Sequence, residues 1–336
     1  MKRRTTLKDI ARELKVHHTT VSRGLHDHPA VNSMTKAAIK SMAEKLNYYP
    51  NKIARQLKQN ISNVIGVIVP EIKHHFFANV ISGIEDASYE KDYVIMVCQS
   101  NEQYDREVMN TRALISNNVA GLLVSLSQET DNLVHFEEYI KTGGRLVLFD
   151  RISDNINANK VVVDDFNGAY LATKHLIERG KRRIAHIAGT KILSITQRRL
   201  NGYKAALQEF KIKYNPDLVV YSGFHEINGI TAMQYLLNLK IPPDAVFAVN
   251  DPVAIGTYDV IKSRGLRIPE DISVVGFSNN PTSSLVQPSL TTIEQPSFEI
   301  GRRAVEILIN ELQCQNSQFE PITEILETKL IIRDSS

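Results

Sequence analysis

The chain has 336 residues, enough for two or three domains. Hydrophobic residues make up 43% and charged residues 23%, an ordinary globular balance that excludes a disordered, collagenous or disulfide-stapled chain. The net charge of +3 is unevenly placed: residues 1–60 carry 13 Lys and Arg against 4 Asp and Glu, and the remainder nets −6, so a basic head on an acidic body points to a head that meets a polyanion.

No run reaches the roughly 18 apolar residues of a membrane span. MKRRTTLKDI is basic with no apolar stretch after it, so it reads as no signal peptide and the protein as cytoplasmic. Cys98 and Cys314 lack CxxC spacing, which excludes a zinc ribbon and suits packed thiols in a reducing compartment.

Thr6 can cap a first helix, with Asp9 three positions later as in a capping box. Leu7, Ile10, Ala11 and Leu14 then form one buried stripe. A break at Lys15-Val16 leads to a second helix over His18–Leu25, with Val21 and Leu25 inward. Asp27 and Pro29 mark a loop, Asn32 a cap, and Ile39, Met42 and Leu46 the inner face of a third helix. This is a helix-turn-helix with a supporting helix. The second helix exposes His18, Thr19, Thr20, Ser22 and Arg23: hydroxyls that can approach phosphates, and an arginine that can pair with guanine in a major groove. Asn51–Lys58 follows Pro50 and reads as a helix too short to persist alone.

From residue 61 short β-rich runs alternate with helical stripes. Strands are expected at Val64–Val69, Val94–Cys98, Gly121–Ser125, Leu146–Phe149, Val161–Val163, Ile184–Ile187, Leu218–Tyr221, Ala245–Val249 and Ser273–Phe277. Buried strands with helices between them mean parallel, doubly wound α/β architecture, and nine strands require two sheets in two lobes. Ligands of such sheets bind beyond the strands' carboxyl ends. Aromatic, carboxylate, amide and guanidinium groups follow those ends, including Asp150-Arg151, Asp164-Asp165 and Asn250-Asp251, a set suited to a small polar ligand such as a sugar or nucleobase. Asp251 reads as a helix cap and Asn250 as the ligand residue. Asp164 and Asp165, adjacent on a strand, would face opposite ways.

No phosphate-binding loop, dinucleotide fingerprint, GxSxG or HExxH occurs. His74-His75 alone does not make a metal site. The chain therefore reads as a binder, with no catalytic residue, cofactor or metal expected. A ligand-controlled transcription factor fits. An exported solute-binding protein conflicts with the basic head, and a sugar-modifying enzyme lacks any nominable nucleophile.

TLKDIARELKVHHTTVSRGL, VNSMTKAAI and LNYYPNKIARQLK resemble the DNA-binding head of the lactose/galactose-repressor (LacI/GalR) family. The resemblance continues over the body in LVLFDR, RRLNGY, AVFAVND, IPEDISVVGF and PSLTTIEQP. It implies an all-α head on a periplasmic-binding-protein-like α/β core, and a homodimeric repressor on a near-palindromic operator in double-stranded DNA. It also implies a small effector between the lobes, a sugar or sugar derivative, with no membrane partner. The implied organisation is a head over 1–50, a hinge over 51–60, a first lobe over 61–160 plus about 293–320, and a second over 161–292 plus about 321–336.

The implied DNA contacts are Thr6, Leu7, Lys8, His18, Thr19, Thr20, Ser22, Arg23, Asn32, Tyr48, Asn51, Ala54, Arg55 and Leu57. In the family the hinge forms on the operator and its leucine, here Leu57, pries open a minor-groove step. The implied effector residues are Phe76, Phe77, Asp150, Arg199, Phe224, Asn250 and Ser278. The sequence departs from the family at three places. Lys15 and His17 stand where Gly and Ser are usual, and Ser278 replaces an Asp that pairs with effector hydroxyls.

Overall fold

In a computed structural model the described residues are 5–46, 48, 62–313 and 320–336. The expected hinge helix, with Asn51, Ala54, Arg55 and Leu57, lies outside them, as does Cys314. The chain divides into two compact units, residues 1–61 and 62–336.

The first unit is three helices: α1 (Leu7–Leu14), α2 (His18–Leu25) and α3 (Ser33–Lys45). Thr6 and Asp9 form the expected capping box, the Asp9 carboxylate accepting from the Thr6 backbone and hydroxyl. Asn32 Oδ1 caps α3 by accepting from Thr35 N–H at 2.8 Å. Ile10, Ala11, Val21, Ile39 and Ala43 make a small buried core, with Leu7, Leu14, Leu25, Met42, Leu46 and Tyr48 packed around it. The chain leaves α1 through Lys15 in the left-handed region, φ 52° and ψ 39°. His17 caps α2, its Nδ1 accepting from Thr19 N–H at 3.4 Å and lying 2.8 Å from Thr19 Oγ1.

The second unit has two six-stranded sheets. The strands are β1 (Val64–Val69), β2 (Val94–Gln99), β3 (Gly121–Val124), β4 (Leu146–Phe149), β5 (Asn159–Val163), β6 (Ile184–Ala188), β7 (Val219–Tyr221), β8 (Ala245–Ala248), β9 (Ser273–Ser278), β10 (Thr291–Glu294), β11 (Thr323–Leu326) and β12 (Lys329–Ile331). The helices are α4 (His75–Glu90), α5 (Tyr104–Ser116), α6 (Val134–Lys141), α7 (Asp165–Glu178), α8 (Ser194–Glu209), α9 (Glu226–Leu237), α10 (Asp251–Ser263) and α11 (Ser297–Gln313). The first lobe's sheet runs β11-β5-β4-β3-β1-β2 and the second's β12-β10-β9-β8-β6-β7. Every pairing is parallel except β10 with β12. The fully buried Ile65, Val67, Leu123, Val147 and Val161 show why the inner strands read as continuous apolar runs.

Helix pairs α4/α11 and α7/α8 close the outer layers. Glycine permits both contacts: a Cβ at Gly83 would stand 2.0 Å from Phe298 O, and one at Gly202 2.1 Å from Phe166 O.

The lobe boundaries differ from the expected ones. β5 keeps the chain in the first lobe to Val163 rather than 160, and β10 keeps it in the second to Glu294 rather than about 292. β11 belongs to the first sheet, so 321–326 is not part of the second lobe. Only β12 and the segment after it return there. The cause is the ladder: β11 extends the edge beside β5 before the chain crosses for the last time. Residues 216–218 form a 3-10 turn, so the expected strand at Leu218 begins one residue later.

A non-glycine residue in the left-handed region costs about 1 kcal/mol. Lys15→Gly is therefore expected to stabilise the head and slow hydrogen exchange at the Ile10 and Val21 amides roughly fivefold in the full chain. Unchanged or faster exchange would count against strain at this turn.

Candidate nucleic-acid interface and ligand cleft

On the head, Thr6, Lys8, His18, Thr19, Arg23 and Asn32 are exposed, while Leu7, Thr20, Ser22 and Tyr48 are half-buried. Their availability differs. Leu7 and Tyr48 pack on the small core, Thr6 and Asn32 are occupied as caps, and Thr19 Oγ1 is engaged by His17. Lys8, His18 and Arg23 are the exposed candidates not committed to capping or to the core. α2 thus presents a short polar face with a cation, the form that enters a groove and reads base edges.

In the core, the candidates gather where the carboxyl ends of the two sheets meet. Phe76 and Phe77 open α4, are 5% and 3% exposed, and meet edge to face at 5.2 Å. Asp150 follows β4 in the left-handed region at φ 58°. Phe224 follows β7, and its carbonyl accepts from Asn250 Nδ2 at 2.8 Å. Arg199 lies on α8, 3.7 Å from the centroid of Phe277. Ser278 ends β9 at φ 119°, its hydroxyl accepting from Gln295 Nε2 at 2.9 Å.

Two expectations about adjacent residues are corrected. Asn250, not Asp251, is the cap of α10: its Oδ1 accepts from Val253 N–H at 3.0 Å. Asp251 is fully buried and accepts from Asn280 N–H, Ser283 Oγ and Thr292 Oγ1. It pins the β9 and β10 ends, and Asn250 has both ends of its amide in use. Asp164 and Asp165 do not lie on a strand. Asp164 caps α7, accepting from Asn167 N–H at 2.9 Å, while Asp165, 1% exposed, turns inward.

Asp165 changes the reading of Arg199. Its Oδ1 accepts from Arg199 Nε at 2.8 Å and Nη2 at 2.7 Å, and Nη1 donates to the Val249 carbonyl. Arg199 is therefore a structural cation as well as a cleft residue. The sequence signal for Asp165 was only its place after a buried strand.

Asp150 is differently placed. Burial pushes its carboxyl up to about 7, helped by the charges of Asp165 and Glu102 and opposed by Arg151 and Arg199. Burial and Arg151 also hold His74, at the start of α4, down to about 4. Several polar atoms at these strand ends are buried without a partner in the protein: His74 Nδ1, Ser100 Oγ, Ser125 Oγ, Arg151 Nε and Thr196 Oγ1. Native structures rarely leave such groups unpaired, so a ligand rich in hydrogen-bonding groups suits the place. An open groove of about 580 Å³ runs along the rim, lined by Thr130, Asn132 and Asp154 of the first lobe and Ile192 and Ser194 of the second. It takes in none of the seven candidates, which lie deeper. Among the described residues no cluster of three or more His, Cys, Asp or Glu could hold a metal, and no helix is long and apolar enough to cross a membrane.

Comparison with known proteins finds relatives of both the head and the core. Residues 6–51 match the family of bacterial regulatory proteins, lacI family, and 173–336 match a periplasmic binding protein-like domain. The chain is 34% identical to a ribose operon repressor of Haemophilus influenzae, over 98% of both chains. It is 33% identical to the transcriptional repressor PurR of Vibrio atlanticus, over 97% of this chain and 98% of that one. Among solved structures, a lac repressor dimer bound to operator and the anti-inducer ONPF superposes with a TM-score of 0.87 at 25% identity, covering 99% of both chains. A complex of the transcriptional regulator CelR with cellobiose gives 0.76 at 28%, covering 99% of this chain and 100% of that one.

Two stability consequences follow from the cleft's charges. In the folded protein Asp150 holds its proton up to about pH 7, against 3.8 for an ordinary aspartate. Its contribution to stability is thus complete below about pH 4 and is lost as the pH rises through 7. Asp150→Asn, which tolerates the left-handed backbone, should match the parent in stability near pH 4 and exceed it at pH 8 by on the order of a few kcal/mol, seen as a higher melting temperature at pH 8 alone. Equal melting at both pH values would show that the carboxyl is not so perturbed. Arg199→Ala leaves Asp165 buried and unpaired, and should destabilise the core by about 3–5 kcal/mol in denaturant unfolding; a loss under about 1 kcal/mol would remove the pair from the core's support.

Proposed function

Because the chain belongs to the lacI family of bacterial regulatory proteins, we propose that it is a sequence-specific repressor of transcription whose grip on operator DNA is set by a small effector, a sugar or sugar derivative, held between its core lobes. The observation that carries this reading is the presence in one chain of two recognition surfaces. One is the basic helix-turn-helix with Arg23 exposed on α2. The other is the cleft at the facing strand ends, with its unpartnered polar atoms. The relatives are repressors, which supports a cleft that binds its ligand rather than transforms it.

In this reading two subunits place their heads on the halves of a near-palindromic operator, as a two-fold axis requires. Lys8, His18, Thr19, Thr20, Ser22 and Arg23 supply the half-site contacts from the head. Asn51, Ala54, Arg55 and Leu57 supply those of the hinge. Effector touches residues of both lobes, so its occupancy favours one lobe arrangement over another. Coupling arises because the two arrangements differ in affinity for DNA. Such a protein works in the cytoplasm, where its operator is. The relatives support a sugar through the ribose operon repressor and the cellobiose complex.

The experiment is selection of duplexes by the full-length chain, followed by titration of the selected operator at several salt concentrations. A dimer making a handful of phosphate contacts per half-site should give a slope of log K against log salt of roughly −5 to −10. Arg23→Ala should weaken the selected operator by about 1–3 kcal/mol per half-site and leave random duplex nearly unaffected. Addition of the effector to the parent should move operator affinity. No selected sequence, or a salt slope near zero, would end the DNA-binding reading.

A further inference from the structure

Where α1 ends and α2 begins, the head has an open hollow of about 390 Å³. Five basic side chains line it. Lys8, Arg12 and Lys15 stand at i, i+4 and i+7 along α1 and its cap, and His17 and His18 open α2. All five are exposed, and the rings of His17 and His18 lie 4.2 Å apart. No carboxylate is among the residues that line the hollow. Asp9 approaches Arg12 only to 4.0 Å, and its carboxylate already accepts from the Thr6 backbone and hydroxyl. His17 uses Nδ1 as the acceptor of its cap bond. In the neutral ring that puts the proton on Nε2 and makes Nε2 a donor.

Local structure does not account for two of these residues. Lys15 turns the chain at φ 52°, where glycine fits freely and lysine is strained. The cap bond from His17 is long, at 3.4 Å, and Ser, Thr, Asp or Asn serve such a position better. A cation at the end of α1 complements the helix dipole, but that favours lysine nearby rather than in the left-handed region, and it gives no reason for a histidine cap. What the two residues share is the hollow. Like charges gathered without a carboxylate destabilise the isolated head and become favourable once an anion enters. In a helix-turn-helix on DNA the first helix crosses the sugar-phosphate backbone while the second enters the major groove. The backbone therefore passes the seam between the two helices, and the hollow lies at that seam.

We propose that Arg12, Lys15 and His17 complete, with Lys8 and His18, a seat for one backbone phosphate of the operator in each half-site, and that Lys15 and His17 serve this contact at the expense of the head's own stability. The proposal rests on the reading of the head as DNA-binding. The seat adds affinity without sequence preference, because a phosphate carries no base identity. Restoring the residues that the turn and the cap favour thus moves stability and DNA affinity in opposite directions.

The test compares the full-length parent with the double variant Lys15→Gly, His17→Ser on the selected operator and on random duplex, across a salt series. One phosphate per half-site is two per dimer, so the variant's slope of log K against log salt should be shallower by about 2, with both duplexes bound more weakly at low salt. Hydrogen exchange at the Ile10 and Val21 amides should meanwhile be slower than in the parent. Residues with a merely structural role would give a steadier head that binds at least as tightly with the same slope, which overturns the proposal. Lys45→Gln removes an exposed cation outside the hollow; a change in slope as large as the double variant's would show a general effect of charge and also overturn it. If the double variant is less stable than the parent, Arg12→Gln, which leaves turn and cap intact, must make the slope shallower, and an unchanged slope overturns the proposal. Inorganic phosphate titrated calorimetrically into the DNA-free parent should give no saturable binding. Saturable binding that the double variant loses, with its operator affinity unchanged, would assign the hollow to a free anion instead. If the parent selects no duplex, the DNA-binding reading itself fails, and the proposal with it.

Discussion

Parallel pairing is the constraint from which the core follows. A strand paired in parallel with its neighbour cannot return through a tight turn, so the chain must cross over through a helix. The helices then cover both faces of each sheet, and the strands must be apolar on both sides. Every strand that leads into a crossover also delivers its following loop to the same edge of the sheet. In both lobes that edge carries the polar side chains, so the cleft is a consequence of strand direction before it is a matter of particular residues. The glycines at the α4/α11 and α7/α8 contacts serve the same geometry, because helices laid on a sheet crowd one another.

Placing polar groups at buried strand ends demands partners for them. Asp165 and Arg199 neutralise each other, as do Glu102 and Arg151. Asp251 is satisfied by three neutral donors, two from the segment after β9 and one from β10. Asp150 has no such provision, which is why burial dominates its behaviour. A site that must accept a ligand has to leave some of its groups unsatisfied, and that incompleteness is kept tolerable by fixing everything around them. The rigid pairs and the unsatisfied atoms are thus two parts of one arrangement.

Much of this was legible in the residues. The head's stripes and caps are local signals, and Thr6, Asn32 and the turn at Lys15 stand where spacing placed them. The first nine strands announce themselves as apolar runs. β10, β11 and β12 do not: TTIE, TEIL and KLI are short and mixed in polarity, and the last two are partly exposed, so they carry no period to read. Their lobe assignment depends on pairing with strands far along the chain, which no local pattern encodes. Asn250 and Asp251 show a finer limit. Both are good capping residues, and backbone conformation decided which of them caps. The partners of the cleft's arginines were equally hidden, since Glu102 lies 49 positions from Arg151 and Asp165 34 from Arg199.

The chain passes between the lobes three times, after β5, after β10 and after β11. Each lobe is therefore assembled from distant stretches: the first needs α11 and β11, and the second needs β12. During synthesis on a ribosome the head can close as soon as its three helices emerge. The first lobe, although most of it is made early, must wait with an uncovered sheet edge until the last few dozen residues arrive. Parallel sheets with open edges are aggregation-prone while they wait. A ribosome that stops before α11 thus releases a chain with a complete DNA-binding head and no finished lobe to govern it.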